Sequence, residues 1–152
     1  MGEARGYFEF LAKLGLTKHL GSMEATRRLV EMSHVEGGQL VLDVGCGVGA
    51  TPVYLVRKRG CRVVAVDLLE EMVQQARERA RRAGVVGGVH LAAADARRLP
   101  FADGTFDAVI MESLNVFFDE KLKAMEEYVR VTRSGGHVGI TEMTWLSPPP
   151  PE

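Results

Sequence analysis

The sequence predicts an α/β fold, a doubly wound and mainly parallel sheet with helices on both faces and helical turns ahead of it. Short, almost wholly apolar runs at residues 40–44, 62–67, 89–94, 106–111 and 137–144 have the length and continuity of strands covered on both sides. Amphipathic stretches alternate with them over short connections, the pattern of βαβ units. A chain of 152 residues, 46% apolar and 26% charged, is long enough to bury one core without staples.

The elements follow in order. Residues 3–19 carry Phe8, Leu11, Ala12, Leu14 and Leu16 among Glu and Lys, a loose amphipathic helix that Gly21 breaks. Ser22 caps a second helix whose apolar stripe is Met23, Leu29, Val30 and Met32, and Gly37-Gly38 ends it. After the first strand, Thr51-Pro52 offers a capping hydroxyl and a first-turn proline to a helix running to about Lys58 and stopping at Gly60. Residues 69–83 form a Glu-, Gln-, Arg- and Ala-rich helix closed by Gly84. A helix spans 119–132, Ser134-Gly135-Gly136 turns the chain, and the fifth strand follows. This divides the chain into a helical segment at 1–38, a sheet domain at 39–147 and a proline-rich tail at 148–152.

Composition excludes several classes of function. A net charge of −1 exerts no global pull toward nucleic acid or membrane. Cys46 and Cys61 lack CxxC or Cys/His metal spacing and read as reduced thiols of a cytoplasmic protein. No apolar run reaches the ~18 residues that cross a bilayer. Gly2 suggests myristoylation, but Gly6 stands where that motif wants Ser or Thr. His19, His34, His90 and His137 are scattered without metal spacing. Arg77, Arg79, Arg81 and Arg82 share a helix with Glu70, Glu71 and Glu78 and have no aromatic stacking platform, so they read as a solvated face rather than an RNA site.

The chemistry concentrates at the strand ends. In Val41-Leu42-Asp43-Val44-Gly45-Cys46-Gly47-Val48-Gly49-Ala50, glycines directly after a buried strand let the backbone turn tightly and approach a ligand. Gly45-x-Gly47-x-x-Ala50 also satisfies the dinucleotide pattern, so spacing alone leaves NAD(P) open. Asp43 helps to separate a pyrophosphate ligand from a cationic one; the alternative is a helix-capping or strand-end acid. Beside a pyrophosphate a carboxylate is repelled by roughly 4 kcal/mol at 4 Å in an effective dielectric near 20. A ligand bearing an ammonium and a sulfonium is attracted instead. Asp67 closes the second strand, where an acid accepts from both ribose hydroxyls; the alternative is an N-cap with Glu70 completing a capping box. Asp95-Ala96 follows the third strand, where a carboxylate accepts from an adenine amino group and Ala leaves room for the ring; taken alone, Asp95 reads as a solvated loop residue. Three successive strand ends carrying Asp weaken that bland reading, because ligands of open parallel sheets bind there.

Together these residues resemble class I S-adenosylmethionine-dependent methyltransferases. The resemblance rests on strand-Asp43-x-Gly45-x-Gly47-x-Gly49, Val66-Asp67, Ala94-Asp95-Ala96 with Leu99-Pro100-Phe101, Phe106-Asp107-Ala108-Val109-Ile110 and the Gly-Gly turn. It covers about residues 20–146, and the small-molecule branch that includes quinone and sterol methyltransferases fits best. It implies a Rossmann-like sheet of order 3-2-1-4-5, S-adenosylmethionine as cofactor with S-adenosylhomocysteine as product, and a small-molecule acceptor. It also implies Gly45, Cys46, Gly47 and Gly49 beside the methionine part, Asp67 on the ribose, Asp95 and Ala96 at the adenine, and Leu68 and Met72 packing near the adenosine. Ser134 stands where the family usually places Pro. The family's sheet continues through two more strands, so the chain reads as cut within residues 148–151 or as a natural short form. An exposed fifth strand predicts homodimerisation or strand borrowing.

Methyl transfer from a sulfonium is an in-line displacement, for which a protein mainly supplies position. Glu112, past the fourth strand, is the best polar candidate near the methyl site, as a catalytic group or as a strand-end carboxylate without a catalytic role. Tyr7 could lid the cofactor or simply pack. The competing readings are a non-catalytic S-adenosylmethionine-binding fragment and an NAD(P)-binding oxidoreductase domain.

Overall fold

A parallel sheet must be covered on both faces, and alternation within each strand here supplies two apolar faces. The computed structural model describes residues 22–115 and 120–142. Strands β1 (Leu40–Val44), β2 (Arg62–Asp67), β3 (Val89–Ala93), β4 (Phe106–Glu112) and β5 (Thr132–Thr141) pair in the order β3-β2-β1-β4-β5. Every pairing is parallel, as expected for the Rossmann-like order. The expected helix at 3–19, Tyr7, His19 and the proline-rich tail lie outside the described residues.

Helices divide between the faces by strand parity. Val41, Val63, Ala65, Ala108 and Ile110 join one core cluster with Leu29, Val30, Leu55 and Ala76. These last four come from α1 (Ser22–Met32), from the π-helical turn Leu55–Arg59 that continues α2 (Ala50–Tyr54), and from α3 (Glu70–Arg82). Leu42, Val44, Val66, Val109 and Met111 point the other way, onto Ala124, Tyr128 and Val131 of α4 (Lys121–Val131). Neighbouring residues such as Val41 and Leu42 therefore anchor opposite layers.

Several local expectations change. Ser22 does accept the Glu24 N–H through its hydroxyl at 3.3 Å, but Met32 is 69% exposed and Thr26 takes the buried place beside Leu29 and Val30. Thr51 does not cap α2. Gly49 is the N-cap residue, in left-handed conformation, and no side chain caps it. No capping box forms at α3 either, because its N-cap residue is Leu69 without a side-chain cap. The expected turn at 134–136 is an irregularity inside β5: Phe106 pairs with Thr132 and Ala108 already with His137. Gly136 is needed there, since a Cβ would lie 2.6 Å from the Asp107 carbonyl oxygen.

Asp107, part of the Phe-Asp motif, sits at the end of the sheet away from the glycine turn. It accepts the Leu40 N–H at 2.7 Å and the Arg133 guanidinium at 2.7 Å, tying the start of β1 and the bulged segment of β5 to β4. The Leu99-Pro100-Phe101 segment is held by α4 in the same manner. Glu127 accepts the Leu99 N–H at 2.6 Å, and Arg130 donates to the carbonyls of Leu99 and Phe101. No helix among the described residues is long and apolar enough to cross a membrane.

The three glycines of the turn divide their work. Gly49 packs α2 against α3: with φ 83°, an added Cβ would meet Ala76 Cβ at 2.8 Å. Gly47, with φ 51°, faces open space, with nothing within 4 Å of a Cβ. Gly49→Ala is therefore expected to destabilise the fold by about 2–4 kcal/mol through strain plus overlap. Gly47→Ala should lose only about 1 kcal/mol. Urea unfolding of both variants checks the order, and equal losses would contradict the packing role of Gly49.

Candidate functional site

The site is assembled by parity and register. Asp43 lies two residues beyond Val41, Asp67 two beyond Ala65, and Glu112 two beyond Ile110, all three apolar residues belonging to one core cluster. In a strand that spacing returns a side chain to the same face. Asp43 pairs in register with Ala65 on one side and Ile110 on the other. Its carboxylate is therefore flanked by Asp67 and Glu112, one same-face step further along.

Three carboxylates converge under the helices, and the central one, Asp43, feels the charges of the other two. Asp43 is 2% exposed, and its Oδ2 is buried without a hydrogen-bond partner. Burial first, then the charges of Glu112 and Asp67, push its carboxyl well above the usual carboxylate range. Asp67 is also raised by burial, and backbone N–H groups of Leu69, Gly47 and Leu68 oppose the rise. The same surroundings push up the Cys46 thiol, mainly through burial and then through Asp43 and Asp67. Cys46 is thus a buried thiol rather than a nucleophile.

Asp67 links strand end to glycine turn. Its Oδ2 accepts the Gly47 N–H at 2.9 Å and its Oδ1 the Leu69 N–H at 3.0 Å. Each oxygen keeps a second lone pair. The turn is pinned further by the Val66 carbonyl, which accepts from Gly45 N–H at 2.8 Å and Cys46 N–H at 2.9 Å. A Cβ on Gly45 would meet the Leu114 side chain at 2.8 Å, so that wall follows β4 directly. Met72 is buried with Val48 and Leu69, while Leu68 is half exposed.

Asp95 stands apart from this trio. Its carboxylate forms an ion pair with Arg97 at 2.6 Å and accepts the Arg97 N–H at 2.9 Å. The Arg97 guanidinium holds its carboxyl below the usual range, and Arg97 also reaches Glu120. The lone solvated loop acid is thus a paired one. Ala96 is buried in the α4-side core with Leu99.

Sequence reasoning missed the partners of Glu112. One carboxylate oxygen accepts the Thr26 hydroxyl at 2.8 Å and the other the Thr51 hydroxyl at 2.7 Å. Both threonines are buried, so this carboxylate joins α1, α2 and β4. Thr51 had a bland explanation as a cap, and Thr26 was hidden inside an apolar stripe. A hydroxyl at a buried helical position was the available signal, since it must find an acceptor. Among the described residues no group of three or more His, Cys, Asp or Glu could hold a metal ion.

An open glycine turn walled by acids at the carboxyl ends of parallel strands is the ligand crevice of a Rossmann-like domain. Residues 42–140 match the family described as Methyltransferase domain. The chain is 36% identical over 118 residues to the methyltransferase GfsG of Streptomyces halstedii, covering 78% of this chain and 42% of that protein. It is 35% identical over 120 residues to the ubiquinone/menaquinone biosynthesis C-methyltransferase UbiE of Escherichia fergusonii, covering 78% of this chain and 48% of the relative. A solved SAM-dependent methyltransferase from Aquifex aeolicus superposes with a TM-score of 0.70 at 28% identity, covering 83% of this chain and 69% of that one. The chain belongs to the class I S-adenosylmethionine-dependent methyltransferase family. It spans about half the length of the curated relatives it matches.

Two consequences are measurable. With the Asp43 carboxyl raised, the folded state retains a proton that the unfolded chain releases above about pH 4. Its contribution to stability is therefore fully present below the unfolded pKa and is lost as pH rises from there toward the raised value. Asp43→Asn should leave thermal stability of the ligand-free protein nearly unchanged near pH 3.5 and raise it increasingly toward pH 7; a pH-independent difference would contradict the burial argument. Glu112→Ala leaves the Thr26 and Thr51 hydroxyls without these acceptors. It should destabilise by about 2 kcal/mol, with Glu112→Gln losing less, in chemical denaturation at pH 7.

Proposed function

We propose that this chain carries the S-adenosylmethionine-binding part of a methyltransferase acting on a small-molecule acceptor. The observation that carries the reading is the buried Asp43 Oδ2, which lacks a hydrogen-bond partner beside Asp67 and Glu112. An uncompensated acid cluster is complementary to a cationic ligand and repels a diphosphate. The cofactor, when bound, supplies an activated methyl group on a positively charged sulfur.

In this reading Gly45, Cys46 and Gly47 border the methionine part, where the left-handed Gly47 leaves space beside the backbone. Asp43, which holds its proton more tightly in the ligand-free fold, releases it as the cationic centre binds beside it and supplies negative charge there. Asp67 accepts from the ribose hydroxyls with the lone pairs that Gly47 and Leu69 leave. Leu68 and Met72 flank the adenosine, and Asp95 and Ala96 border the adenine, with Asp95 shared between the amino group and Arg97. Gly49 supports the turn through α3 rather than touching the ligand. Glu112, with both oxygens accepting from threonines, acts as a positioning residue that holds α1 and α2 at the crevice. The acceptor is orientated for in-line attack, and position rather than acid–base chemistry is the protein's main contribution. The quinone methyltransferase UbiE and the methyltransferase GfsG among the relatives support a small organic acceptor.

Calorimetric titration tests the reading. S-adenosylhomocysteine is expected to bind and NADH not to. Asp67→Ala should weaken S-adenosylhomocysteine by about 1–3 kcal/mol through lost charged hydrogen bonds. Binding of NADH without S-adenosylhomocysteine would replace this reading with the oxidoreductase one, and an unchanged affinity in Asp67→Ala would remove the ribose role.

A further inference from the structure

Beside the glycine turn, α2 with its π turn and α3 form a concavity of about 540 Å³ that shares none of Asp43, Asp67 and Glu112 in its lining. Arg57 of the π turn and Gln75, Arg79 and Arg82 of α3 line it, and Val48 of the glycine turn forms part of its wall. Among the described residues no Asp or Glu lines it. Glu78, which is not among the lining residues, pairs with Arg81 and with Arg82. In a chain of net charge −1, three guanidinium groups line one hollow, and of these Glu78 pairs with Arg82 alone.

The donors there are incompletely used. Arg57 has no hydrogen bond or ion pair among the described residues. Arg79 donates through Nε to the Val48 carbonyl at 2.8 Å, and its terminal nitrogens have no hydrogen bond among the described residues. Planar guanidinium forks match phosphate oxygens in pairs, and Gln75 adds an amide donor. Arg77 and Arg81, on the same helix, are instead committed to the Leu91 carbonyl and to Glu78. Arg82 is shared between the two surroundings: its Nε pairs with Glu78 at 3.1 Å while its side chain lines the cleft.

We propose that this cleft is a binding site for a small polyanion carrying phosphate groups, separate from the cofactor crevice. Its size suits a ligand of mononucleotide scale or smaller. Its concavity, and the absence of an exposed aromatic platform among its lining residues, disfavour an extended RNA strand. The crevice cannot substitute for it, because Asp43 and Asp67 repel the same ligand. Through the Arg79–Val48 hydrogen bond, occupancy would stiffen the glycine turn.

The test is calorimetric titration of the whole chain with inorganic pyrophosphate at low ionic strength, followed by the single variants Arg57→Gln, Arg82→Gln and Arg77→Gln. Each removes one positive charge from an exposed or partly exposed side chain, and circular dichroism checks that the fold is kept. Pyrophosphate is expected to bind the parent chain, more weakly as salt is added. Arg57→Gln and Arg82→Gln should each weaken binding about tenfold, with Arg77→Gln changing it less than about twofold. Equal weakening by all three variants would mean a diffuse field rather than a site, and would overturn the proposal. Failure of pyrophosphate to bind, or binding only of a single-stranded RNA oligonucleotide, would overturn it too. None of these outcomes depends on S-adenosylhomocysteine binding.

Discussion

The structure turns on one electrostatic constraint, the forced proximity of three carboxylates under the helices that cover the carboxyl edge of the sheet. Asp43, Asp67 and Glu112 cannot avoid one another. Parallel register places their strands side by side, and two-residue periodicity places all three on the same face. The protein compensates them unequally. Glu112 is satisfied by two threonine hydroxyls and Asp67 by backbone N–H groups of the glycine turn. Asp43 keeps a buried oxygen without a partner. A buried polar atom left in this state destabilises the ligand-free fold, and the imbalance is what a cationic ligand would relieve.

That constraint orders the surrounding elements. The glycine turn is where it is because Val66 and Asp67 hold its N–H groups, and α2 starts where it does because Gly49 can approach Ala76. Helix α1 is not an appendage to the sheet domain. Leu29 and Val30 enter the core, and the Thr26 hydroxyl reaches the β4 end. A movement of α1 would therefore be felt at Glu112 and, through its charge, at Asp43. The opposite end of the sheet is stabilised by separate means, Asp107 with Arg133 and Glu127 with Arg130, so the crevice and the base of the domain do not share partners.

Much of the fold was legible because apolar runs bounded by glycine have few other interpretations. The first four strands and the helices between them agree with the sequence reading to within a few residues, and the sheet order agrees with what the family resemblance implies. The departures are local. Thr51 looked like a cap because hydroxyl followed by proline is the usual pattern, yet a buried carboxylate from sixty-one residues away claimed the hydroxyl. Met32 looked like part of an apolar stripe, but α1 turns that residue outward and buries Thr26. Ser134-Gly135-Gly136 looked like a turn before a strand, whereas β5 begins at Thr132 and absorbs the glycines as a bulge.

Local pattern by itself determined which residues become strands, where the chain must turn through glycine, and that acids stand at successive strand ends. Those follow from backbone sterics and side-chain periodicity, which act over a few residues. Which acids meet was decided only by tertiary structure. Asp95, equal to the others in the text, is drawn off by Arg97, and Glu112 takes its place beside Asp43. The convergence of Arg57 with Arg79 and Arg82 was equally invisible, because it depends on how α2 and α3 pack. Charge proximity across elements is set by register and helix docking, and neither is written in any single stretch of the chain.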